Sequence, residues 1–217
     1  EALQFREKKM TELADETGIS KQSLSLYAND GNTPPFENVI KIARALSFPT
    51  DFFMVEDGCT VATGNTYFRS QASATKKSRY SQKIKLEYVA KIYEVLLNYI
   101  NFPVLNLPEM EDFSLPDDVT ESCSEEAYAE IERLAAMVRR YWKIGSGPID
   151  NLQYILESNG IIITGFSDVS SDIDAFSQQI SVDGKNVYII ALAIGSKPIE
   201  RLRFDMAHEL GHILMHS

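Results

Sequence analysis

The chain has 217 residues, enough for one large domain or two small ones, and a hydrophobic content of 44% that is ample for a packed core. Its net charge of −10 argues against a protein that coats nucleic acid without regard to sequence. No apolar run approaches the roughly 20 residues a membrane span requires, and Glu1-Ala-Leu-Gln-Phe-Arg-Glu-Lys-Lys9 lacks the apolar stretch of a signal peptide. Cys59 and Cys123 show neither metal-ligand nor redox spacing, so reduced thiols in a cytoplasm are the expectation, with no membrane partner. A chain that begins with Glu1 and stops soon after its last histidine reads as a piece of something longer.

Residues 1–57 read as short helices separated by tight turns. Met10 to Tyr27 has the layout of a helix-turn-helix: Leu13, Ile19 and Leu24 can point into a small core, and Ala14 lets two helices cross closely. Gly18 supplies the positive φ of a sharp interhelix turn, and Ser20 is a good N-cap for a helix running to about Ala28. After Pro34-Pro35 an amphipathic helix presents Val39, Ile40, Ile42, Ala43 and Leu46 inward, and a short helix follows near Pro49–Met54. Glu12-Leu-Ala14, Gly18-Ile-Ser20, Leu24, Tyr27 and Ile42-Ala-Arg-Ala-Leu46 resemble the Cro/C1-type (XRE) repressor domain over most of its five helices. The resemblance implies an all-α domain that binds operator DNA as a dimer. It also implies that Lys21, Gln22, Ser23 and Ser25 lie where recognition-helix side chains meet the major groove. A glutamine there can bond adenine bidentately, and Lys21 can meet phosphate or guanine. The same layout also serves protein binding, and residues 1–57 carry six bases against ten acids, so the domain alone is expected to bind DNA weakly.

Residues 58–119 read as a basic helical segment followed by an acidic linker. Between Tyr67 and Tyr93 seven bases (Arg69, Lys76, Lys77, Arg79, Lys83, Lys85, Lys91) face one acid, Glu87, whereas Glu109 to Glu126 holds eight acids and no base. The basic stretch, opened by Phe68-Arg-Ser70, runs into a helix ending near Phe102-Pro103 that can pack between the domains. Its lysines can touch DNA, or it can be a solvated connector.

In residues 120–217, Ser122-x-x-Glu125 starts a helix through Trp142, and a second helix spans about Ile149–Asn159, closed by Gly160. Ile161–Thr164 and Asp174–Val182 read as strands, and Asp183-Gly184 as a hairpin turn into the buried strand Val187–Ile194. This order suggests an α+β domain with a small antiparallel sheet, in which strand 174–182 is a candidate edge for an extended substrate. The last segment, Ser196–Ser217, reads as a helix carrying His208-Glu209-Leu210-Gly211-His212. Two histidines four apart lie about 40° apart in projection, able to grip one zinc ion, with Glu209 as general base. Ile199, Leu202, Met206, Leu210 and Ile213 form the apolar stripe, and His208 and His212 fall on the opposite side. Asp205 is either an acid that orients His208 or a plain surface acid.

Tyr141-Trp142, Gly147-Pro-Ile149, Leu156-Glu157, Gly160-Ile161, Asp174-Ala-Phe-Ser177 and Arg201–His212 together resemble the ImmA/IrrE family of zinc metallopeptidases over residues 120–217. The resemblance implies a zincin-like fold and a Zn²⁺ cofactor held by His208 and His212. It implies a bacterial or phage-derived regulator whose relatives cleave a repressor protein in a stress response. The family follows the gluzincin pattern, whose third ligand is an acidic residue on a later helix, here expected beyond residue 217; His216 is not at the spacing of a third ligand. The rival reading is a DNA-binding, antitoxin-like regulator whose peptidase-like half is a non-catalytic sensor or dimerisation unit.

Overall fold

The computed structural model describes residues 1–29, 32–55, 62–67, 76–109, 125–166, 174–182, 184–195 and 197–216. Five helical elements come first: α1 (Ala2–Phe5), α2 (Met10–Thr17), α3 (Lys21–Ala28), α4 (Phe36–Leu46) and a 3-10 turn (Thr50–Phe53). Their punctuation follows from the sequence. α2 ends on Gly18 at φ +68°, a left-handed conformation that costs a residue with a Cβ about 1–2 kcal/mol. Ser20 caps α3, its Oγ accepting from the Ser23 N–H at 3.1 Å. Leu13, Ile19 and Leu24 are buried with Ala2, Ile42 and Leu46, as their spacing predicts, and Phe48, Phe52 and Phe53 close the core. Two bases of this domain serve its interior. Arg6 donates to the carbonyls of Leu46 and Ser47 and lies over the rings of Phe5 and Phe48. Lys8 binds Glu16 and the Ala45 carbonyl.

The rest of the chain builds a four-stranded sheet in the order β1-β3-β4-β2 with helices on both faces. The strands are β1 (Ala62–Tyr67), β2 (Ile161–Phe166), β3 (Ala175–Val182) and β4 (Lys185–Ala193). The expected small antiparallel sheet is in fact mixed. β3 pairs antiparallel with β1 and β4, but β2 pairs parallel with β4, from Ile161↔Tyr188 to Phe166↔Ala193. Nor is β3 an edge. It is interior, its outer side covered by β1, a strand that the polar sequence Ala-Thr-Gly-Asn-Thr-Tyr does not announce. β4 is apolar on both faces because both are covered. Val187, Ile189 and Ala191 pack with Leu86 and Ala90 of α5 (Lys76–Leu96), whereas Tyr188, Ile190 and Leu192 pack with Leu152 and Leu156 of α7 (Leu152–Ser158) and Met206 and Ile213 of α8 (Ile199–His216). α6 (Glu125–Tyr141) adds Leu134 and Val138 against Leu214.

Residues 58–119 thus contribute β1 and α5 to the sheet layers, and α5 packs between the two halves, the first of the two readings its sequence allows, and is no solvated connector. On one side it meets β3; on the other, Ser81 Oγ donates to the Phe5 carbonyl at 3.2 Å and Tyr88 packs edge-on to Phe5. α7 begins at Leu152, later than expected, because Asn151 Oδ1 caps it by accepting from Tyr154 N–H at 3.0 Å. Gly160 has φ +81°, and a Cβ there would stand 2.5 Å from the Leu105 backbone nitrogen, so the close crossing of these segments demands glycine. Ser122, the acidic run from 110 to 124, Phe68-Arg-Ser70, both cysteines and Asp183 lie outside the described residues.

Candidate functional site

Helix α8 is pinned from several directions, and that fixes which way its polar residues point. Arg203 donates to the carbonyls of Ile149 and Asp150, at 2.7 Å for the latter, tying the helix to the start of α7. Met206 and Ile213 anchor one face in the core, while Leu202 and Leu210 pack at its margin. The expected apolar stripe is shorter than the sequence suggests, because Ile199 is 69% exposed. The opposite, polar face is the surprise. Asp205, Glu209 and His212, on its flank beside the apolar stripe, are buried at 3–4% exposure, whereas Arg201, Phe204 and His208, farther from the stripe, are exposed.

Each of these acids has a partner that compensates its burial. Arg201 Nε stands 3.1 Å from Asp205 Oδ1 and Lys197 Nζ 3.4 Å from Asp205 Oδ2. The same two bases reach Asp174 at 2.5 and 2.6 Å. Lys197 first, then Arg201, holds the Asp174 carboxyl below the usual carboxylate range. Asp205 is therefore no surface acid: it joins α8 to the start of β3 through Lys197, Arg201 and Asp174. Glu209 receives a hydrogen bond from Ser177 Oγ of β3 at 2.7 Å. Burial pushes its pKa up from 4.5 to about 7, with Asp205 adding to the rise and the Ser177 bond opposing it. Ser177 stood in the sequence within strand 174–182 and in the segment Asp174-Ala-Phe-Ser177, with no role assigned to it; the signal that marks it is a hydroxyl at a buried strand position.

His208 and His212 converge as their spacing predicts. Their Nε2 atoms face each other at 3.2 Å, with His208 stacked on Phe204. Two nitrogen ligands held at 2.0–2.1 Å by a tetrahedral Zn²⁺ stand about 3.3–3.4 Å apart, so the pair fits two ligand positions of such an ion. Among the described residues no group of three or more His, Cys, Asp and Glu converges on one point. The arrangement can therefore supply two imidazoles and, one residue from the first, a carboxyl able to hold or release a proton near neutral pH.

The second candidate surface is α3. Lys21, Gln22 and Ser25 are exposed, with Asn29 Nδ2 donating to the Ser25 carbonyl at 2.9 Å. Ser23 is half-buried and its hydroxyl is engaged with Ser20 Oγ at 2.9 Å, which suits a capping role. Lys21 and Gln22, in the first turn of α3, are exposed where a recognition helix meets its partner.

No helix of the described residues is long and apolar enough to cross a membrane. No curated protein and no solved structure matches the chain. Residues 3–53 match the family model described as Helix-turn-helix, and the match does not extend to the half that carries α8. The first five helical elements are thus a helix-turn-helix domain of the XRE type, the DNA-binding module of a transcriptional regulator.

Proposed function

We propose that the protein is a DNA-binding regulator whose C-terminal half is a zincin-like, zinc-dependent endopeptidase, cleaving a repressor or other regulator protein in a stress response. The observation that carries this reading is the convergence of His208 and His212 beside a buried Glu209 whose proton affinity is matched to neutral pH. His208 and His212 would hold the metal, with an acidic third ligand expected C-terminal to Ser217. Zn²⁺, when bound, supplies Lewis acidity to the scissile carbonyl and acidifies water. Glu209 takes the proton of the attacking water and returns it to the leaving amine, and Ser177 holds that carboxyl in place. Because β3 is interior, an extended substrate has no open edge there. The edges left among the described strands are β1 and β2.

The decisive measurement is zinc per chain on the full-length protein. One zinc, lost in His212→Ala and kept in Glu209→Gln while cleavage of the partner disappears, is the expected result. No zinc in the full-length protein sinks the peptidase reading. A second reading is favoured by the two-ligand count among the described residues: the α8 half is a non-catalytic sensor or dimerisation unit for the DNA-binding domain. Salt-dependent operator binding without turnover would establish it.

A further inference from the structure

The helix-turn-helix domain has a charge problem. Residues 1–57 carry six bases and ten acids, yet contacts to phosphate supply much of any DNA affinity. Three of those six bases are occupied: Arg6 and Lys8 bind carbonyls and Glu16, and Lys41 pairs with Glu37 at 2.6 Å. Lys9, Lys21 and Arg44 are left against ten acids, so DNA affinity calls for further positive charge from elsewhere in the chain.

The N-terminal half of α5 provides it. Residues 76–86 contain Lys76, Lys77, Arg79, Lys83 and Lys85 and no acid. This helix is not a loose tether. Ser81 Oγ bonds the Phe5 carbonyl, and Tyr88 packs on both Phe5 and Phe52, so α5 is fixed to the helix-turn-helix domain itself. Ser78, Ser81, Gln82, Ile84, Lys85 and Leu86 are buried along this part of α5. Lys77 and Tyr80 are exposed and Lys83 half-exposed; on a helix the three fall within about 120° of arc, at whose Lys77 edge the buried Ile84 also projects. From Phe5 the chain reaches Lys9, the N-cap of α2, in four residues, at most about 14 Å. In a helix-turn-helix, the first helix of the pair crosses the phosphate backbone. The docking point of α5 on Phe5 is therefore within about 14 Å of chain from the start of α2.

We infer that the outer face of α5, through Lys77 and Lys83, is an added phosphate-binding surface, so that the DNA footprint extends beyond the helix-turn-helix domain. It contributes affinity and carries no base readout, which rests with the first turn of α3.

The test uses the full chain and a fluorescein-labelled duplex enriched from a random-sequence library, with anisotropy read across a KCl series. Each phosphate contact contributes about 0.9 to the slope of log K against log [salt], so Lys77→Ala/Lys83→Ala is expected to lower that slope by about 1.8. Over a fourfold rise in salt, the wild type should lose about twelvefold more affinity than the double variant does. The preferred sequence should not change, Lys77→Arg/Lys83→Arg should restore the slope, and Arg140→Ala/Lys185→Ala, on the other half of the chain, should leave it unaltered. If the wild type binds and the Ala variant keeps its slope, the α5 surface is refuted while the helix-turn-helix assignment stands. An equal loss in the Arg140/Lys185 variant also overturns the inference, since the effect is then one of total charge. If the wild type enriches no duplex, DNA binding and this inference both fall.

Discussion

Replacing Glu209 by Gln tests the burial of the α8 polar face without any substrate. Glu209 is 3% exposed and its carboxyl is held by one side-chain hydrogen bond, from Ser177. Its folded-state pKa of about 7 lies above its ordinary 4.5, chiefly because burial penalises the charged form. Below pH 4.5 the carboxyl is neutral in folded and unfolded chains alike and costs nothing. As pH rises from 4.5 to about 7 the unfolded chain releases its proton first, and the folded state loses stability until the loss is complete above about 7. At 1.36 kcal/mol per pH unit, the full difference is about 3 kcal/mol. Gln has the shape of the protonated carboxyl and cannot ionise. The metal-free Glu209→Gln protein should therefore match the wild type near pH 4.5 and exceed it by about 3 kcal/mol at pH 8. For a chain of this size that is a rise in Tm of about 6–12 °C, read by circular dichroism in the presence of a chelator. A Tm difference that stays flat between acid and alkaline pH would refute the claim that Glu209 is charged at a dry site.

Two further substitutions probe the frame that positions the site. Gly160→Ala places a methyl 2.5 Å from the Leu105 backbone at φ +81°, so a loss of about 3 kcal/mol or more is expected in urea unfolding; a near-neutral result would mean the 104–107 segment does not cross there. Between α5 and the sheet, the buried amides of Gln82 and Gln178 have no hydrogen-bond partner among the described residues. Gln178→Met removes that unsatisfied pair of polar atoms at similar volume, so Tm should rise, by the equivalent of about 1–3 kcal/mol; a fall would show that the amide is satisfied in solution.

Much of the site was legible in local sequence. Helix caps and turns are decided within a few residues, which is why Gly18, Ser20 and the helix-turn-helix layout are where the sequence places them. The spacing of His208 and His212 is likewise a property of one helix: periodicity puts both on one side, and their rotamers bring the Nε2 atoms to 3.2 Å. The continuous apolar run of β4 announced a buried strand, and both its faces are covered.

Tertiary structure decided the rest, because strand pairing and burial depend on residues far apart in the chain. β1 has no apolar alternation of its own, and only pairing with β3, from Ala62↔Ser181 to Tyr67↔Ser177, makes it a strand. The parallel pairing of β2 with β4 leaves no mark on either sequence, since both read as apolar runs. An amphipathic pattern shows which face of α8 is polar but not whether another layer covers it. Here β3 covers the flank that holds Glu209 and leaves His208 exposed, and that contact converts Glu209 from an ordinary surface acid into a buried carboxyl that titrates near neutrality.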